Sequence, residues 1–332
     1  MTRLEAKLAR IRKGQYRRGD FIIADAKDPD MGPGLWASGP HRGPDGTWSR
    51  YRTRAEFLDQ IRAIVRQDIV DVMLASLSNL EILLGEGLFA EHAVKPAIRA
   101  NDATDIWVGR GAGYNRHPSR PFRTVSLARA RAIGLDLGLY SVTFTHNLDA
   151  DVASLEAYAS FREDAARHGL RHFLEVFNPN VDTGIAPDVL PHFINDCIVR
   201  TLAGVAASDR PLFLKMVYNG PKALEELAGW DSSLVVGILG GSAGTTRDTF
   251  ELLAQAERYG ARVALFGRKI NLAESPLDII AMMREVAHGH LAPAEAVRAY
   301  HAKLAEKGAK PLRPLEEDLR VTEPVLEAGA SG

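Results

Sequence analysis

The sequence predicts a closed (β/α)8 barrel, and three observations carry that prediction. Short runs of Val, Ile, Leu and Phe recur with helical patterns between them, as expected of parallel strands buried on both faces. The strand–helix unit repeats about eight times within 332 residues, the length of one barrel domain. Glycine-rich turns follow the last two runs, where barrels of this kind hold anions. An open doubly wound sheet is the alternative, because the third and fourth strands are the least clearly patterned.

The formal net charge is -1 at pH 7, with 46% apolar and 25% charged residues. That balance is ordinary for a globular chain and offers no overall field to nucleic acid or to an anionic membrane. With one cysteine, Cys197, there is no intrachain disulfide and no cysteine metal cage. Cys197 lies in an apolar helical pattern and reads as a small buried hydrophobe. The stretch Met1 to Arg10 is charged and lacks a signal core, and no segment has the roughly 18 apolar residues of a membrane span. The expected compartment is therefore the cytoplasm. The expected division is a barrel with its terminal helices over 1–310 and a polar, loosely held tail over 311–332.

Taken in order, Thr2 to Lys13 place Leu4, Leu8 and Ile11 on one side of a helix. Asp20 to Asp25 is the first strand. Ala26 to Arg52 is a long Gly- and Pro-rich loop carrying Trp36, His41 and Trp48, and it is expected to be a lid. Thr53 caps a helix to Gln67, Ile69 to Ala75 is the second strand, and Ser78 caps a helix from Asn79 to Phe89. Asp105 to Val108 is the third strand, with a second long loop from Gly113 to Arg123. Val125 to Ala132 is helical, Leu139 to Phe144 is the fourth strand, and Leu155 to His168 is a helix closed by Gly169. Arg171 to Phe177 is the fifth strand and Pro187 to Ala206 a helix. Pro211 to Gly220 is the sixth strand, and Pro221 opens a helix to Ala228. Ser233 to Leu239 is the seventh strand, and Thr246 caps a helix to Tyr259. Arg262 to Phe266 is the eighth, followed by helices from Pro276 to His288 and from Pro293 to Glu306.

The chemistry centres on Lys215, in the middle of the apolar sixth strand. A charged, unpaired lysine there is costly, and the usual escape is a depressed pKa that leaves a neutral, nucleophilic amine. Side chains alternate along a strand, so Phe213, Lys215 and Val217 share one face, as do Phe173, Glu175 and Phe177, and Phe21, Ile23 and Asp25. If those faces point inward, Asp25, Glu175 and Lys215 converge in the barrel mouth. A buried ion pair is a poor stabiliser, so two such charges read better as a site than as structure. Taken singly, Asp25 can equally end a strand, and Glu175 can be no more than the partner of Lys215.

Gly240-Gly241-Ser242-Ala243-Gly244 leads into a helix, and Gly267-Arg268-Lys269 follows the next strand. Glycines let backbone N–H groups face an anion, and the helix start adds partial positive charge. Gly240, Gly241, Ser242, Gly267 and Arg268 are thus the candidate phosphate site, with Arg268 as a fork of donors. Against this, a Gly-Gly turn is often needed only for its backbone shape. The basic stretch Arg110 to Arg131 has no nucleic-acid reading motif and suits a lid or subunit contact better. His146 follows the fourth strand, from where it can reach the site, and reads at least as well as a capping or surface residue. No metal-ligand spacing is present, and the Gly-x-Gly matches lack the acidic partner of a dinucleotide fold.

Leu214-Lys215, Gly240-Gly241-Ser242 and Phe266-Gly267-Arg268-Lys269-Ile270, in that order, resemble the barrel-type class I aldolases. These include archaeal-type fructose-bisphosphate aldolases, tagatose-bisphosphate aldolases, and the sulfosugar-phosphate and autoinducer-processing relatives. The family's Gly-Arg-Asn-Ile is similar to Gly267 to Ile270 with Lys269 in place of Asn, its strand-one Asp to Asp25, and the tagatose branch's Leu-Glu to Leu174-Glu175. That branch has a second lysine at the end of strand four, and Leu139 to His146 offers none. The two long loops are also unlike the family's short ones.

The resemblance implies a Schiff-base aldolase acting on a phosphorylated or otherwise anionic ketose. It further implies a homo-oligomer with a small-molecule sugar substrate and no cofactor. In this reading Lys215 is the nucleophile, Glu175 the proton-transfer group and Asp25 an orienting group. A transaldolase, an acyl transferase and a non-catalytic phosphosugar-binding barrel remain open at this point.

Overall fold

The computed structural model describes residues 2–43, 46–102, 109–327 and 329. Eight parallel strands close into a barrel: β1 (Ile22–Lys27), β4 (Val72–Ala75), β5 (Lys95–Arg99), β6 (Leu137–Thr143), β7 (Arg171–Phe177), β8 (Leu214–Met216), β9 (Gly237–Leu239) and β10 (Val263–Phe266). β10 pairs back onto β1, with Ile22 opposite Val263 and Asp25 opposite Phe266. Closure through eight strands excludes the open doubly wound sheet. The remaining strands, β2 (Pro40–Arg42) and β3 (Trp48–Tyr51), form an antiparallel hairpin.

Alternation along each strand divides two cores. Ile22, Ala24, Val72, Leu74, Ala97, Leu139, Phe173, Phe213, Val263 and Leu265 fill the barrel interior. Phe21, Ile23, Met73, Tyr140, Leu174, Leu214 and Phe266 face the surrounding helices. The helix α1 (Arg3–Arg12) adds Leu4, Leu8 and Ile11 to the inner core. It is tied at the strands' N-terminal end, where Arg3 Nε and Lys7 Nζ each lie 2.9 Å from the fully buried Asp71 carboxylate. One end of the barrel is thereby sealed, and the opposite end stays open.

The outer helices follow in order: α2 (Arg54–Gln67), α3 (Leu77–Gly85), α4 (Leu127–Ala132), α5 (Leu148–Arg167), α6 (Leu190–Ala203), α7 (Pro221–Trp230), α8 (Thr246–Arg258), α9 (Arg268–Asn271), α10 (Pro276–His288) and α11 (Pro293–Glu306). α10 and α11 match their expected bounds, since each has proline at its first position. α3 starts two residues early, capped at Ser76 and not Ser78, and α8 is capped by Thr245 and not Thr246. The third barrel strand is Lys95–Arg99; the stretch expected there, Asp105 to Val108, lies outside the described residues. Lys95, Pro96 and Arg99 hide the alternation of this strand.

The loop after β1 folds into short 3-10 turns at Pro29–Met31 and Gly34–Ser38 and then the hairpin. Ser38 Oγ donates to the Arg52 carbonyl at 2.7 Å, and Arg50 pairs with Glu56 at 2.7 Å. The tail was expected to be loose, yet it forms α12 (Leu315–Asp318) and α13 (Pro324–Glu327) and packs on α8. Leu326 is wholly buried and Asp318 nearly so. A polar composition concealed this, because the tail is held mainly by carboxylate and backbone bonds. Among the described residues, no helix is long and apolar enough to cross a membrane.

The sealed end generates a stability prediction. Leu8→Ala leaves a cavity against the inner core and should lower unfolding free energy by about 2–5 kcal/mol in urea denaturation. A loss under about 1 kcal/mol would mean that α1 does not close the barrel.

Candidate active site

A cavity of about 460 Å³ lies at the C-terminal ends of the strands, lined among others by Lys215, Glu175, Arg99, Asp28, Trp36 and Tyr114. Its chemistry is set by register. Ser141 of β6 stands opposite Glu175 of β7, and Glu175 opposite Lys215 of β8. Partners in a parallel ladder share a face, so the three side chains form a row on the inner wall. Phe173 and Phe213, two residues earlier, stack at 4.5 Å between ring centroids and form an apolar floor.

Lys215 is 6% exposed and Glu175 1% exposed. Lys215 Nζ contacts Glu175 Oε1 directly. The other carboxylate oxygen accepts a hydrogen bond from Ser141 Oγ at 2.7 Å, and Arg99 lies 4.0 Å from it. Arg99 in turn pairs with Asp28 at 2.9 Å. Five polar side chains, from four strands and the turn after β1, are thus joined at the open end: Asp28, Arg99, Ser141, Glu175 and Lys215. A carboxylate in contact with a primary amine, in an enclosed apolar setting, can carry protons to and from that amine.

The structure does not bring Asp25 into this group. Ile22, Ala24 and Ala26 of β1 face inward, so Asp25 and Lys27 face the helices. Both are fully buried, with Lys27 Nζ 3.0 Å from the Asp25 carboxylate. Burial raises the carboxyl pKa of Asp25 and lowers that of the Lys27 amine, each opposed by the partner's charge. The expected inward face is corrected because β1 is one residue out of phase with β7 and β8. Ala26 and Asp28 line the cavity from this strand and the turn after it.

Of the expected anion site, Gly240, Gly241, Gly267 and Arg268 line the cavity. Gly241 adopts φ +65°, which favours glycine, and a Cβ on Gly267 would meet the Ala26 carbonyl oxygen at 3.1 Å. Arg268 opens α9 and is exposed, and its side chain makes no hydrogen bond or ion pair among the described residues. Ser242 is turned away from the cavity, and its hydroxyl donates to Glu323 Oε1 at 3.1 Å.

Both long loops reach the mouth. The first contributes Trp36, whose indole N–H is buried without a partner. The second contributes Tyr114, and Asn180 holds it by donating to the carbonyls of Tyr114 and His117 at 2.6 and 2.8 Å. His146 contacts the Thr183 carbonyl at 2.9 Å and does not line the cavity. Cys197 is half-buried, and burial pushes its thiol up to about 11. Sequence reasoning missed Arg99, Asp28 and Ser141. Among the described residues, no group of three His, Cys, Asp or Glu side chains could hold a metal ion.

No protein-family model matches the sequence, and no curated protein sequence matches it significantly. Solved structures do. An archaeal fructose 1,6-bisphosphate aldolase aligns over 86% of this chain and 99% of its own, at 16% identity and a TM-score of 0.60. A Schiff-base-forming fructose-1,6-bisphosphate aldolase, studied through its reaction intermediates, gives the same coverage and identity with a TM-score of 0.61. The fructose-bisphosphate aldolase of Slackia heliotrinireducens aligns over 91% of this chain and 90% of its own, at 12% identity and a TM-score of 0.63. At such identities the likeness is one of fold. The chain is a (β/α)8 barrel of the same fold as these aldolases, one of which forms a Schiff base.

Proposed function

We propose that this protein is a class I aldolase, a carbon–carbon lyase that binds a ketose or related keto sugar through a Schiff base on Lys215. The observation that carries the reading is the direct contact of Lys215 with Glu175 at the cavity end of the barrel, with both side chains almost wholly buried. The fold shared with a Schiff-base-forming aldolase supports it.

Glu175 takes a proton from the Lys215 ammonium, and the free amine adds to the substrate carbonyl carbon. The resulting carbinolamine loses its hydroxyl as water, with Glu175 returning the proton, and an iminium forms. The iminium accepts the electron pair of the bond between its α and β carbons as that bond breaks. The Glu175 carboxylate takes the proton of the hydroxyl on the β carbon, and that fragment departs as a carbonyl compound. The remaining enamine takes up a proton at carbon, and water releases it from Lys215. Ser141 and Arg99 hold the Glu175 carboxylate in place for these transfers. Trp36 offers an unpartnered donor to a substrate hydroxyl. Arg268, beside Gly240, Gly241 and Gly267, meets an anionic group at the far end of the substrate. Asp25, on the outer face with Lys27, acts by supporting the wall and not by touching substrate.

Borohydride added to protein and a panel of ketoses should attach one ligand to Lys215, less the water lost and plus two hydrogens. Lys215→Ala should give no adduct, and a native adduct on another residue would refute the assignment. Glu175→Gln should slow adduct formation by about 10²- to 10⁴-fold, measured at a temperature where the variant is folded by circular dichroism. A change under about threefold would remove Glu175 from the proton transfers.

A further inference from the structure

Beside the cavity, β9, β10 and the start of α8 carry the makings of a phosphate site: glycine turns and Arg268, which line it, and a helix N-terminus and Lys269, which line a second cavity next to it. The helix N-terminus and Lys269 are already in use, while the Arg268 side chain is not. The Thr245 N–H donates to Asp248 Oδ2 at 2.8 Å, and the Thr246 N–H to Asp318 Oδ1 at 2.8 Å. Lys269, whose side chain has no exposure, donates to Glu323 Oε1 at 2.9 Å, and Ser242 Oγ donates to the same oxygen at 3.1 Å. Burial lowers the Lys269 pKa, and Glu323 opposes that shift as its counter-charge.

The C-terminal segment that supplies Asp318 and Glu323 is firmly placed. Thr322 donates to Asp248 from its backbone N–H at 2.7 Å and its hydroxyl at 2.6 Å. The Leu326 carbonyl accepts from Gln255 Nε2 at 2.8 Å, and the Leu326 side chain is wholly buried. A cavity of about 220 Å³ remains beside this arrangement, lined by Arg42, Thr245, Thr246, Arg268, Lys269 and Arg313 among others. Arg268 lines this cavity and the larger one.

An anion binds at a helix start when backbone N–H groups and a cation lack partners. Here three carboxylates of the chain occupy the Thr245 and Thr246 N–H groups and Lys269, and a phosphate dianion would enter against their charge. We propose that Glu323 is a specificity-determining residue that takes, within the same chain, the place of a substrate phosphate. The cavity accordingly accepts carbonyl substrates whose far end is a hydroxyl or a single carboxylate facing Arg268, and it rejects phosphate esters. This deepens the aldolase reading and rests on it for the reaction, whereas the anion chemistry is independent of Lys215.

The test is a calorimetric titration with inorganic phosphate at constant ionic strength, on the native chain, Glu323→Gln and Glu323→Asp. Glu323→Gln should bind phosphate at least about tenfold more tightly than the native chain, and Glu323→Asp, which keeps the charge, should behave as native. Equal binding by the native chain and Glu323→Gln, or binding by neither, overturns the proposal. If Glu323→Gln does not fold, the native chain decides: saturable phosphate binding refutes the proposal, and its absence supports it. In a second arm, borohydride trapping of a ketose and of its phosphate ester is compared. The native chain should favour the free ketose, and Glu323→Gln should shift the ratio toward the ester by about tenfold. No adduct in any variant, together with gained phosphate binding in Glu323→Gln, would remove the Schiff-base reading and leave this inference standing.

Discussion

Two opposite charges placed side by side on neighbouring strands, inside a closed barrel, are the constraint on which the rest of this molecule depends. Lys215 and Glu175 face each other in the β7–β8 ladder, and both are almost wholly buried. Taking such a pair out of water costs several kcal/mol per ion before any attraction is counted. The surroundings offset this with directed bonds, from Ser141 to Glu175 and from Arg99 to Asp28. Apolar side chains of similar volume would fill the same space without needing those partners. The retention of the charges here accords with chemistry performed at that spot.

The barrel delivers this arrangement through parity. On β7 and β8 the odd-numbered residues point inward, so Phe173 and Phe213 form a floor and Glu175 and Lys215 stand above it. On β1 the even-numbered residues point inward, which sends Asp25 outward to Lys27. The sealing helix α1 closes one end, and the long loops bring Trp36 and Tyr114 over the other. The cavity is thus deep, open on one side, and polar along one wall.

Much of this was legible in the residue pattern. The strands β7 and β10, the helices α10 and α11, and the convergence of Glu175 with Lys215 follow from alternation and from capping residues. What escaped did so for physical reasons. β5 carries Lys95, Pro96 and Arg99, so its apolar signal is two residues long. The outward turn of Asp25 depends on strand phase, which alternation within one strand cannot supply. The C-terminal segment is polar, and it packs because Asp248, Gln255 and Lys269 on distant elements supply its partners. Arg99 and Ser141 join the site through contacts across strands, which chain order does not display.

These features make one measurement decisive for the central claim. A crystal structure of the protein, flash-cooled after exposure to a ketose that it turns over or traps, should show continuous electron density from Lys215 Nζ to the former carbonyl carbon. Glu175 should lie within hydrogen-bond reach of that junction. Density for a ligand seated in the cavity but separate from Lys215 by a van der Waals gap, across every ketose that binds, would contradict the account.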